Sequence, residues 1–247
     1  MRIPLFAIVI VFVIWLNIKN HISSRRDEDV VRAFWERENA ANRTRKQPLD
    51  SLSYITIPGD LLPERAFDDT FPARSAAGRI RRLREEDAVI VNLTGYTNTD
   101  LKLEYGVANL PLLSEYDAHY TALVTAVQEV AEALGEEERF PEALRLLEFE
   151  AQTGTDISAC YRLLIDLYRG DPDLTPGQAN EKINGLLPIA QNLRSLSRDG
   201  IVRMLEEALR EEAVTPSAQT SERKDTDPTN NTPGTQAPAP YRSPSPE

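Results

Sequence analysis

Apolar residues recur at steps of three and four through the middle of the chain. Tyr116, Tyr120, Leu123, Val124, Val127, Val130, Ala131 and Leu134 fall on one side of a 3.6-residue helix. The pattern predicts a helix from about Ser114, with Gly135 placed to end it in a left-handed cap. The acidic run Glu136, Glu137, Glu138 then reads as a solvated turn. Phe140, Ala143, Leu144, Leu147 and Phe149 mark a second helix, with Pro141 in its first turn where a missing N–H costs little. So short a link predicts an antiparallel hairpin.

The same periodicity continues. Ile157, Cys160, Tyr161, Leu163, Leu164, Leu167 and Tyr168 predict a third helix, capped by Thr155 or Asp156. Thr175 and Pro176 open a fourth with Ile183, Leu186, Leu187, Ile189, Ala190 and Leu193, which Pro188 should kink or interrupt. Ser197 caps a fifth with Ile201, Val202, Met204, Leu205 and Leu209, whose Glu206, Glu207, Glu211 and Glu212 suit the polar outer face of a capping helix. From 214 to 247 the chain turns to Pro, Ser, Thr, Asn and Gln without apolar periodicity, the composition of a disordered tail.

The leading end differs. Residues 3–16 are apolar and uncharged, and extension to Ile22 gives the roughly 20 residues a membrane helix needs. Lys19 can snorkel and Trp15 suits an interface. No small-x-small cleavage site follows, so the segment reads as a retained anchor and not a signal peptide. Lys19, Arg25, Arg26, Arg32 and Arg37 follow it against Arg2 before it, which predicts a single-pass cell-membrane protein with its body in the cytoplasm. Val30, Val31, Phe34 and Trp35 then give a narrow apolar face on a basic juxtamembrane helix over 23–46. Three readings stay open for it: a helix on anionic lipid head groups, a stalk whose Phe34 and Trp35 dock onto the body, or a solvated stalk.

Between 47 and 110, Pro48, Pro58, Pro63 and Pro72 forbid a long helix. Tyr54, Ile55 and Ile57 predict an extended segment lying across the body, and Ala76 to Asp87 a short, solvated basic helix. Val89, Ile90 and Val91 are either strand-like or a last helical turn. Next comes the stretch NLTGYTNTDLKLEYG. Thr97 or Thr99 can cap a short helix holding Leu101, Leu103 and Tyr105, ended by Gly106. Asn92, Thr94, Asn98, Asp100, Lys102 and Tyr105 are candidate partner-binding groups, although turn residues of this kind are more often structural.

Composition narrows the chemistry. Of 247 residues with net charge −11, residues 1–46 hold nine Lys/Arg and five Asp/Glu, leaving 19 basic and 34 acidic groups in the remainder. An acidic body behind a basic neck argues against nucleic acid and suits solubility beside an anionic leaflet. One cysteine, Cys160, excludes an intrachain disulfide and a thiolate metal site. His21 and His119 stand apart, no calcium-loop spacing is present, and no cofactor is expected. No phosphate-cradling glycine loop, GxSxG, HExxH or CxxC occurs, so the chain is not read as an enzyme.

The string AEALGEEERFPEALRLLEFEA resembles a tetratricopeptide (TPR) repeat, with Ala131, Phe140 and Ala143 at the matching small and aromatic positions. The family's tryptophan and its glycine after leucine are absent, and Thr155 stands where its closing proline would be. FWERENAANRTRK, LSYITIP, NLTGYTNTDLKLEYGVANLP and LLSEYD resemble an uncharacterised family of small single-pass bacterial membrane proteins. That resemblance spans the anchor to about Glu212 and implies an anchored body of TPR-like helices, with no catalytic residue to carry over.

The expectation is therefore an all-α chain: anchor over 1–22, juxtamembrane helix over 23–46, extended and short-helix region over 47–110, TPR-like hairpin stack with a capping helix over 111–213, and tail over 214–247. It would act as a scaffold or adaptor for another protein or a peptide. A self-associating membrane protein is the alternative, with an enzyme built on an unrecognised carboxylate pair less favoured.

Overall fold

The computed structural model describes residues 28–214, with side chains to residue 211. It is all-α. Among the described residues there is no strand, only an isolated antiparallel bridge between Tyr54 and Val91. Helix α1 occupies 28–43. Then come α2 (Arg74–Glu85), α3 (Asn98–Tyr105), α4 (Leu110–Glu136), α5 (Phe140–Gln152), α6 (Ser158–Gly170), α7 (Pro176–Gln191) and α8 (Arg198–Val214). The expected anchor over 1–22 lies outside the described residues, as does the tail expected over 214–247 apart from Val214, which ends α8. No described helix is long and apolar enough to cross a membrane.

The long helix α4 is the axis. It packs against α2 on one side and α5 on the other, and α6, α7 and α8 stack on from α5. Leu123, Leu134, Leu146, Leu147, Leu164, Ile183, Ile201 and Leu205 are fully buried in one continuous core. Each such side chain contributes about 2 kcal/mol of burial. Ala131 and Ala143 are fully buried too, while Phe140 packs half-buried at the hairpin turn. A smaller core of Leu52, Val91, Leu93, Leu101, Tyr105 and Leu113 sits beneath α3.

The proline-rich segment lies across the body as expected. Ile55 N–H donates to the Ile90 carbonyl at 3.0 Å, and Ile57 is buried against the main core. Val89 to Val91 are thus extended backbone, not a helical turn. The basic helix α2 is less solvated than expected: Arg79 bonds Glu129 at 2.7 Å, and Arg81 lies 5.1 Å over the Phe67 ring.

Several boundaries differ from the sequence reading. Helix α4 starts at Leu110, because Pro111 is accommodated in the first turn. It also runs past Gly135. Glu138 takes the left-handed cap at φ 59°. The Arg139 N–H reaches the Leu134 carbonyl and the Glu138 N–H reaches Gly135, a Schellman closure with glutamate in the glycine position. Nor is the acidic turn simply solvated, since Glu137 accepts two bonds from Arg65, at 2.8 and 2.5 Å.

Pro188 does not interrupt α7. Both Pro188 and Asn184 are exposed, so water can satisfy the carbonyl left without a donor. Ile157, not Thr155 or Asp156, stands at the start of α6, without a side-chain cap. Thr155 is 1% exposed and its hydroxyl is turned inward. Ser197 directly precedes α8, and its carbonyl accepts the Ile201 N–H at 3.0 Å.

Candidate functional site: a polar groove at the end of the bundle

The stretch from Asn92 to Gly106 is built from two devices. Thr97 and Asp100 form a reciprocal capping box at the start of α3: the Asp100 N–H donates to the Thr97 hydroxyl at 3.2 Å, and the Thr97 N–H to the Asp100 carboxylate at 2.9 Å. Those bonds, with Arg37 nearby, hold the Asp100 carboxyl below its ordinary range. At the other end Asn92 is a staple between segments. Its Nδ2 lies 3.0 Å from the Tyr120 hydroxyl, 3.0 Å from the Thr153 carbonyl and 2.9 Å from the Gly154 carbonyl. Its Oδ1 accepts the Thr94 N–H at 2.9 Å.

Lys102 reaches back to α1, where its ammonium pairs with Glu38 and donates to Asn42 at 3.0 Å. Lys102 and Thr99 together hold the Glu38 carboxyl below its ordinary value. Tyr105 is buried, and its carbonyl takes the Gln47 N–H at 3.0 Å and the Asn109 amide at 2.8 Å. Asn98 is exposed at the first position of α3. The six candidate groups are therefore not one patch. Asn92 and Thr94 line a groove, Asp100 lines the hollow beside it, and Lys102 and Tyr105 tie α3 to its neighbours.

Of the interface candidates, Trp15, Lys19, Arg25 and Arg26 lie outside the described residues. Phe34 and Trp35 are 55% and 57% exposed and meet each other edge to face at 5.5 Å. They do not dock onto the described body, which removes that reading of α1.

The groove encloses about 410 Å³ between three segments: the loop from Asn92 to Tyr96, the α5–α6 turn from Gln152 to Asp156, and the end of α7 from Ile189 to Ser195. Gly95 makes its closure possible. At φ +87°, a Cβ there would lie 2.5 Å from Arg194 Cβ and 2.7 Å from its carbonyl oxygen. With only hydrogen present the loop lies against Arg194, whose guanidinium stacks 4.5 Å above the Tyr96 ring. A second, shallower hollow of about 470 Å³ lies across that stack, between Arg37, Asp100, Glu104 and Arg194. The groove walls offer the Gln152 and Asn192 carboxamides, the Thr94 and Ser195 hydroxyls, the Asp156 carboxylate and the Arg194 guanidinium. Such a mixture of donors and acceptors suits the peptide groups of an extended chain.

Beneath the α5–α6 turn lies a group the sequence reading passed over. Glu150 is 0% exposed. The Thr155 hydroxyl approaches its Oε1 at 3.4 Å, and its Oε2 has no hydrogen-bond partner. Burial pushes its carboxyl up to about 8, with Thr155 opposing that rise. Burial thus favours the protonated form of Glu150 at pH 7. The signal was present: Ala143, Leu147 and Glu150 follow one another at steps of four and three on the apolar face of α5. Tyr120, beside the Asn92 staple, is pushed up to about 12 by burial. Cys160 is fully buried, and burial raises its thiol far above the usual range. No group of acids, histidines or cysteine among the described residues is arranged to hold a metal ion.

The chain matches no protein-family model, no curated protein and no solved structure.

Proposed function

We propose that the protein is a membrane-anchored adaptor, whose helical body holds an extended segment of another protein in the groove between the Asn92 loop and the end of α7. The observation that carries this reading is how the groove is built. Three segments distant in sequence converge on it, and the loop is fixed by Asn92, Gly95 and the Tyr96–Arg194 stack before anything binds. Walls fixed in advance lower the ordering cost of association.

A TPR-like description of the body is supported by the α4–α5 hairpin with its buried Ala131 and Ala143, the α6–α7 pair stacked on it, and α8 closing the stack. The anchor rests on the apolar run over 3–16 with its extension to Ile22, and the cytoplasmic body on the cations at and beyond Lys19. Tethering would raise the local concentration of the body toward partners in the same membrane.

The test is affinity capture from detergent-solubilised membranes with the wild-type chain and with Asn192→Arg plus Gln152→Arg. The expected result is a specific protein held by the wild type and lost with the double variant, while both melt alike. Equal capture by both chains would remove the groove from the account.

A further inference from the structure

Two rows of residues run the length of α1 at steps of four, three and four: Val30, Phe34, Arg37, Ala41, and Val31, Trp35, Glu38, Asn42. The C-terminal half of each row is fastened to the body. Ala41 is fully buried, Arg37 bonds Asp100 at 2.5 Å, and Glu38 and Asn42 both hold Lys102. The N-terminal half of the same face runs on past α3 with none of the described residues beneath it, leaving Val30 and Val31 64% and 53% exposed beside Phe34 and Trp35. Contacts advance in the same direction along α1 and α3, since Glu38 meets Thr99, Asn42 meets Lys102 and, just beyond α1, Gln47 meets Tyr105. The overhang therefore leaves the body at the end where Tyr96 and Arg194 lie, and Arg37 and Arg194 flank one hollow there. Two residues beyond Arg194, Leu196 is 104% exposed, with Arg198 following.

Two observations coincide at this end: an apolar helix face carrying a tryptophan, and an exposed leucine between two arginines; in the sequence, the apolar run over 3–16 precedes that helix. Val30 stands only eight residues after Ile22 in the sequence. Arg32 pairs with Asp29 at 3.8 Å and Arg198 with Asp199 at 2.9 Å, all four side chains being about half exposed or more, and surface pairs of this kind are weak enough for phosphate to compete.

We infer that this end of the body is a lipid-contact edge, in which Val30, Val31, Phe34 and Trp35 of α1 and the Leu196 loop seat in the head-group zone of an anionic leaflet. The α1–α3 latch through Lys102 and Glu38 then sets the angle of the body, and the groove opens close to the bilayer. An amphipathic face with Trp at its edge and Arg beside it is the chemistry that binds such an interface. The inference rests on the anchor in the reading above, but not on the groove having a protein occupant.

The test uses the full chain in phosphatidylcholine–phosphatidylglycerol vesicles. The chain has two tryptophans, so Trp15→Phe leaves Trp35 alone. A spin label on the acyl chain near the head group should quench Trp35 roughly twofold, and a label at the bilayer centre far less. An indole placed by Leu196→Trp, in a chain also carrying Trp15→Phe and Trp35→Phe, should respond in the same way. Lys102→Glu should abolish quenching at position 196 while leaving it at Trp35. Trp35 quenched by aqueous iodide and not by lipid label overturns the inference. Emission that is blue-shifted without lipid quenching, and that reverts on dilution into excess lipid, assigns the face to a second copy and also overturns it. Quenching at both positions unaffected by Lys102→Glu removes the latch. A chain that fails to float with vesicles removes the anchor and the lipid edge together, whereas loss of partner capture with lipid quenching intact removes only the adaptor reading.

Discussion

Glu150→Gln should stabilise the protein by an amount that depends on pH in one direction only. In the folded chain the Glu150 carboxyl is held neutral up to about 8, against an ordinary value of 4.5. Below pH 4.5 it is neutral in both states and folding is indifferent to it. Between 4.5 and 8 the unfolded chain ionises and the folded chain does not, so stability is lost as pH rises through that window. Above 8 both states are ionised and the loss stops growing. A glutamine never ionises. At 1.36 kcal/mol per pH unit, the difference between variant and wild type is about 1 kcal/mol at pH 5, about 3 kcal/mol at pH 7, and levels off near 4 to 5 kcal/mol above pH 8.5. A fixed packing penalty from the new amide N–H groups, buried where Oε2 lacks a partner, shifts the whole curve without changing its slope. The assay is therefore chemical denaturation of both proteins from pH 5 to 9, read as the difference between them. A difference that stays flat across the range would show that Glu150 is solvated or ion-paired, and the account of the α5–α6 turn would be wrong.

Other predictions follow from single contacts. Glu138→Gly relieves a left-handed glutamate and should raise stability by roughly 0.5 to 1 kcal/mol, a few degrees in thermal melting; no change would mean that the turn is not closed as described. Gly106→Ala should cost on the order of 3 kcal/mol by denaturant titration, because its Cβ would lie 2.3 Å from the Arg45 carbonyl at φ +85°, and both are backbone-fixed. Wild-type stability in that variant would mean that the strap after α1 does not lie on α3. Cys160 should resist maleimide in the native state and react on unfolding, since its thiol is fully buried; rapid native labelling would contradict the α5–α6 packing.

Much of the fold was legible because apolar spacing is a direct record of burial. The stripes through Leu123, Val127 and Leu134, and through Leu164 and Leu167, are the buried faces seen in the structure. Thr97 and Asp100 carry their capping box in the sequence itself. Helix ends were less legible. Gly135 looked like a terminus, yet the left-handed closure fell on Glu138, three residues later. The groove was the least legible. Asn92 stood out as polar, but its partners Tyr120, Thr153 and Gly154 lie 28, 61 and 62 residues away, and no local pattern announces such a pairing. Arg194 and Tyr96 meet only because Gly95 has no side chain. Glu150 could have been flagged by its place in an apolar stripe, whereas its missing partner could not.

The central claim is that the groove is where a partner is held. The most direct measurement is photo-crosslinking in native membranes, with a benzophenone side chain at Asn192 and, for comparison, at the exposed Asp173 on the α6–α7 turn. The account predicts one discrete crosslinked protein from position 192 and none from 173, with the adduct lost when Arg occupies position 152. Equal, diffuse labelling from both positions would contradict it.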